Sequence, residues 1–165
     1  EGKDGVRRVL GEAISHTGYI IMLLQLVVSR VFERLRPMPS FMIGLVIAAA
    51  GLAVLGLART GAASLVFLGI FLFAVGEMIT SPRIQEYITW IAPKEKAGLY
   101  MGSNFLAVMV GAFASGLTYT TLYGRFTTAG KPEWVWYVLA GHVLLAVVVF
   151  WVFVRVAGEF REQEA

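Results

Sequence analysis

Trp134-Val-Trp-Tyr-Val-Leu-Ala-Gly-His-Val-Leu-Leu-Ala-Val-Val-Val-Phe-Trp-Val-Phe-Val154 contains no Lys, Arg, Asp or Glu. A bilayer core takes about 20 mostly apolar residues per helical span, and an uncharged run of about 18 or more is the usual mark of one. Two further stretches, 37–58 and 97–124, are equally free of charge. The 165-residue chain is 58% hydrophobic and 15% charged. Soluble domains carry about 25% charged residues, so the soluble, disordered and disulfide-framework classes are excluded. A spanning β-barrel would instead show alternating segments of about ten residues. The reading is an all-α, polytopic membrane helix bundle in contact with the lipid bilayer.

Working outward, five spans are predicted at about 14–32, 39–58, 64–91, 98–123 and 134–157. They form one bundle over 13–158, flanked by a polar N-terminal segment (1–12) and a polar tail (159–165). Pro37-Met38-Pro39 and Pro93 are read as breaks between spans, because Pro lacks the backbone donor a regular helix needs. The links are short, which makes consecutive helices antiparallel neighbours. Arg30, Arg34, Arg36, Lys94, Lys96, Arg155 and Arg161 gather on one side, against Arg59, Arg125 and Lys131 in the loops of the other. Basic residues favour the cytoplasmic side, which places the C-terminus in the cytoplasm. Lys3, Arg7 and Arg8 lie outside in this arrangement and narrow the difference. Trp134, Trp136, Tyr137 and Trp151 suit interfacial anchors or packed aromatics. Glycines punctuate two spans, Gly44, Gly51 and Gly56 in one and Gly98, Gly102, Gly111 and Gly116 in another. They are expected to let helix backbones approach closely.

The net charge of +3 gives no nucleic-acid footprint. No cysteine is present, which removes thiolate chemistry, and no His pair has metal-ligand spacing. There is no phosphate loop or nucleophile elbow, so no enzymatic activity, cofactor or metal is expected. The informative span is 64–91, where Glu77 falls at the midpoint. Intramembrane acids face a cavity or a partner and mark ligand sites or proton relays. Ser81 lies one turn on and about 40° away on the same face. Pro82 withdraws a donor and frees a carbonyl near Met78, which makes it a candidate hinge. Arg83 and Glu86 share a different face, as a gating or static ion pair. Gln25 and Asn104 each line a cavity or bond a neighbouring helix, and His142 is read as a packed or interfacial histidine.

Two passages resemble a known family. Gly76-Glu-Met-Ile-Thr-Ser-Pro82, followed by Ile91-Ala-Pro-Lys-Glu-Lys-Ala-Gly-Leu-Tyr-Met-Gly-Ser-Asn-Phe105, resembles the tenth to eleventh helices of the major facilitator superfamily. The likeness is to its proton-coupled oligopeptide transporter branch. Arg30, Glu33, Arg34 and Arg36 before Pro37 look like the basic cytoplasmic loop after the eighth helix. The resemblance implies that Glu77 and Ser81 line a central cavity and that Glu77 meets the amino terminus of a substrate. It departs from that pattern at Arg83-Ile-Gln-Glu86-Tyr, where the branch carries small or apolar residues. It also implies that the chain is a C-terminal half lacking its seventh helix, with the N-terminal half of the same transporter as its partner. The expected function is proton-coupled symport of small peptides or similar small solutes in a bacterial inner membrane. A non-transporting membrane scaffold and a small oligomeric channel are the alternatives.

Overall fold

The computed structural model describes residues 22–32, 34–58 and 63–157. It contains five helices and a short 3-10 turn: α1 (Met22–Phe32), α2 (Pro37–Leu57), α3 (Ala63–Ile91), the turn Lys94–Lys96, α4 (Ala97–Thr128) and α5 (Trp134–Ala157). No strand occurs among the described residues. The fold is an all-α bundle, and α2 to α5 are each long and apolar enough to cross a membrane. The polar segment 1–12, the first residues of the predicted 14–32 span and the tail 159–165 lie outside the described residues.

Two boundaries differ from the sequence reading, each for a local reason. Pro37 and Pro39 sit in the first turn of α2 and do not precede it. Pro is accepted there because the first helical N–H groups have no partner within the helix. Ser40 then donates its buried hydroxyl to the Arg36 carbonyl at 2.9 Å. At the other correction, α4 runs on through Gly124 to Thr128. It ends in a Schellman arrangement, with Gly130 N–H on the Thr127 carbonyl at 3.0 Å and Lys131 N–H on Phe126 at 2.8 Å. Gly130 holds φ at +70°, the left-handed value that closes this cap and that a side chain resists.

The core is the sandwich of α3, α2 and α5, with α2 in the middle. α2 and α3 lie antiparallel on a run of small residues. A Cβ built on Gly44 would stand 2.9 Å from the Gly76 carbonyl oxygen, and one on Gly51 would stand 2.5 Å from the Phe73 nitrogen. Gly69 and Gly76 supply the complementary notches on α3, facing Gly51, Leu55 and Ala48. Between lipid-soluble helices there is no hydrophobic drive to associate, so backbone proximity and dispersion do the holding. Ile79 fills the same contact at 1% exposure. α5 crosses the other side of α2, also antiparallel, with Phe41 against Phe150 at 5.2 Å between ring centres and the Tyr137 ring over Gly56.

α4 stands apart. None of its residues is buried, and it touches α3 and α5 only lightly. Gly98, Gly102, Gly111 and Gly116 have nothing within 4 Å of a notional Cβ. The expectation of close packing therefore holds for the glycines of α2, while those of α4 meet no neighbour among the described residues. The hydroxyls of α4 explain how so polar a helix can be left uncovered. Ser103, Ser115, Thr118, Thr120, Thr121 and Thr128 all donate to carbonyls three or four residues back. Their polar atoms are satisfied without a neighbour.

Candidate functional site

α3 carries three charged side chains, and the helix sets Glu77 on a different face from the Arg83–Glu86 pair. Gly69, Gly76 and Ile79 turn toward α2 and are buried; Arg83 is buried as well. Glu77 stands about 100° around the helix from Gly76, at 100° per residue. Its side chain is exposed and makes no hydrogen bond or ion pair among the described residues. Ser81, one turn later, is exposed as well.

The surroundings of this strip are set by helical register. Ile70, Ile84 and Ile88 fall within about 20° of Glu77 on the projection. Ile70 lines a cavity of about 390 Å³ with Ser115, Gly116 and Tyr119 of α4. Ile88 lines another, of about 400 Å³, with Leu99, Tyr100, Ser103 and Asn104. Glu77 and Ser81 occupy the stretch of α3 between these two cavities, on the side turned to α4. Neither Glu77 nor Ser81 lines either cavity; helical register alone sets them between the two. Glu77 is also near the middle of a helix of 29 residues, about 43 Å long against a hydrocarbon core of about 30 Å. A charged side chain at such a depth costs roughly 2.5–3.5 kcal/mol on insertion scales, so it belongs where water, a proton or a counter-charge can reach it.

Asn104 is half-buried in the second cavity, whose lining includes neither Glu77 nor Ser81. Gln25 is exposed on α1 and lines none of these cavities. Arg83 and Glu86 do pair: an Arg83 Nη donates to a Glu86 carboxylate oxygen at 2.5 Å, with 7% and 34% of the two side chains exposed. Pro82 sits inside α3 without ending it, since the helix continues to Ile91. The predicted hinge is therefore an unbroken helix in this structure. Thr80 donates its hydroxyl to the Gly76 carbonyl, in the turn just before the proline. Arg30, Arg34 and Arg36 are all exposed around the α1–α2 link, at the end of the bundle that also holds Lys94 and Lys96.

Two features escaped the sequence reading. Gly69 and Gly76, the α3 partners of the α2 glycines, are seven residues apart like Gly44 and Gly51, a matched spacing that could have marked the contact. At the other end of the bundle, an aromatic cavity of about 900 Å³ includes Tyr119, Tyr123, Trp134, Trp136 and Tyr137. Tyr119 stacks on Tyr123 at 5.7 Å and meets Trp136 at 6.0 Å, and the Lys131 ammonium lies 5.7 Å from the Trp134 ring centre. Trp151 takes Arg155 over its ring at 5.1 Å at the opposite end. His142 turns its Nδ1 to the Val138 carbonyl of its own helix at 3.2 Å.

Compared with protein-family models, with characterised proteins and with solved structures, the chain finds no match.

Proposed function

We propose that this chain is part of a secondary active transporter that couples proton movement to the symport of small peptides or similar small solutes by alternating access. The observation that carries the reading is Glu77, a carboxyl with no partner among the described residues, near the middle of a membrane-length helix and one turn from Ser81. Intramembrane acids of this kind serve as proton relays and substrate contacts. In the proposed cycle, Glu77 gains or loses its proton as substrate binds. The change of charge favours one packing of the bundle over the other, because a ligand shifts two states only through its different affinity for them. The Arg83–Glu86 pair locks one of those packings, and the basic loop of Arg30, Arg34 and Arg36 faces the cytoplasm of a bacterial inner membrane. The working unit joins this bundle to the N-terminal half of the same transporter.

Two measurements test the reading. Protein isolated in its native assembly is reconstituted into proteoliposomes, and labelled dipeptide uptake is driven by an inward proton gradient. Glu77→Gln is expected to abolish gradient-driven uptake; unchanged uptake and exchange in that variant would refute the assignment. An antibody to the peptide Arg155–Ala165 gives the size of the native species in its source membranes. A band two to three times the 18.0 kDa of this sequence supports a longer transporter. A band at that mass, with no partner in a cross-linked ladder, overturns it.

The open glycine face of α4 favours a second reading, a membrane assembly subunit whose helix contacts lie with another chain. Replacing Glu77 would then cost assembly and leave flux untouched.

A further inference from the structure

Where α1 lies against α3, a cavity of about 360 Å³ joins polar groups from both helices: Ser29 and Arg30 from α1, Arg83 and Glu86 from α3. Two guanidiniums and one carboxylate line it, and Arg30 makes a further interaction of its own. The other described charges at this end of the bundle, Arg34, Arg36, Lys94 and Lys96 against Glu95, are mostly cationic. Arg83 is only 6% exposed, yet its carboxylate partner is one group on its own helix. A guanidinium has five N–H donors in a planar fork, far more than a single carboxylate contact uses. The Ser29 hydroxyl makes no hydrogen bond among the described residues.

The depth and walls of the cavity narrow the ligand. With α3 centred on a core of about 30 Å, Arg83 lies six residues from Glu77, about 9 Å from the centre and about 6 Å inside the boundary. That distance is within the reach of an arginine side chain extending toward the interface. Arg30, in the last turn of α1, adds a second guanidinium to the lining. The remaining wall is apolar, including Leu26 and Met78, and Leu26 is 70% exposed, so the cavity opens onto the outer surface of the bundle. A phosphate anion with an attached hydrocarbon chain satisfies both halves of this lining.

We propose that the α1–α3 cavity binds the head group of an anionic phospholipid, with the phosphate on Arg30 and Arg83, the Ser29 hydroxyl donating to it, and an acyl chain along Leu26. Basic recesses between spanning helices are suited to such head groups. Glu86 competes with the phosphate for Arg83 and so sets the affinity. The site is independent of the transport reading, because lipid binding is measured without flux.

The test is native mass spectrometry and thermal unfolding of the full chain in detergent, titrated with phosphatidylglycerol, phosphatidylcholine or soluble glycerol phosphate. Phosphatidylglycerol is expected to bind saturably and to raise the unfolding midpoint, with Arg30→Gln weakening it about tenfold and Glu86→Gln tightening it. Arg83→Gln should weaken it further; if that variant does not fold, Arg30→Gln and Ser29→Ala carry the measurement. Equal binding of phosphatidylcholine and phosphatidylglycerol overturns the proposal, as does wild-type affinity in Arg30→Gln. Glycerol phosphate binding as well as the lipid assigns the cavity to free phosphates and overturns the lipid assignment.

Discussion

Gly76→Ala adds a single methyl group at a tight point of the α2–α3 contact. Its Cβ would stand 2.6 Å from the Ala48 nitrogen, 2.6 Å from the Gly44 carbonyl oxygen and 2.7 Å from the Ala48 Cβ. Ordinary contact begins near 3.4 Å, so the helices must separate by roughly 0.8 Å. Two of the three obstructing atoms are backbone and cannot turn aside. Overpacking of this kind costs about 1–3 kcal/mol. Alanine in a helix returns about 0.5–1 kcal/mol over glycine. The net expectation is a loss of about 1–2 kcal/mol, reinforced because separation also loosens Gly44 and Gly51. Gly102→Ala is the matched control: nothing lies within 4 Å of its Cβ, so only the helix gain of about 0.5–1 kcal/mol remains. Both variants are compared with wild type by reversible unfolding in mixed detergent–SDS micelles, followed by far-UV circular dichroism. Gly76→Ala should unfold at a lower SDS fraction and Gly102→Ala at the same or a higher one. If Gly76→Ala is as stable as wild type, the close α2–α3 approach is refuted. If Gly102→Ala is the more damaging of the two, α4 is packed on something through its glycines.

Three further outcomes follow from the same geometry. Gly56→Ala places a Cβ 2.7 Å from the Tyr137 ring. Its destabilisation, about 1–3 kcal/mol, should largely vanish in a Tyr137→Ala background, a coupling that a double-mutant cycle in the same micelles will measure. Gly130→Ala forces a side chain into φ +70°. A loss of about 1–2 kcal/mol is expected, read as earlier unfolding and faster hydrogen exchange in the last turn of α4. Pro82→Ala restores a donor to a helix that is already continuous; helix content and unfolding midpoint should be kept or raised, and a drop in helix content would show that the proline shapes α3.

The spans were legible because their edges are chemical: charges and prolines bracket runs that water would not accept. What the runs could not show was which side of each helix finds a neighbour. Gly98-Leu-Tyr-Met-Gly102 has the spacing of a helix-pairing motif and meets no neighbour among the described residues, whereas Gly69 and Gly76 are not read as packing glycines and lie in a close contact between α3 and α2. A small residue only permits approach; the partner across the gap decides whether approach occurs. The boundary of α4 was missed because Gly124 and Arg125 look like a loop, while the true stop is the left-handed Gly130. At the candidate site, the depth of Glu77 and its separation from Arg83 follow from counting at 100° per residue. Its company does not, since the cavities on either side of it along α3 depend on the way α4 stands against α3.

The place of α4 in the chain has a consequence for biosynthesis. α2 and α3 are consecutive and can close as a hairpin as soon as Ile91 has left the ribosome. α5, which completes the core on the far side of α2, begins at Trp134, after the whole of a helix that contributes almost nothing to that core. At about 5–20 residues per second, the intervening ~40 residues take some 2–8 s to make. For that interval the face of α2 that receives Phe150 and Tyr137 is open to lipid, and the notch at Gly56 is empty. The translation of α4 acts as a timer, setting how long a half-built bundle must survive before its last wall arrives.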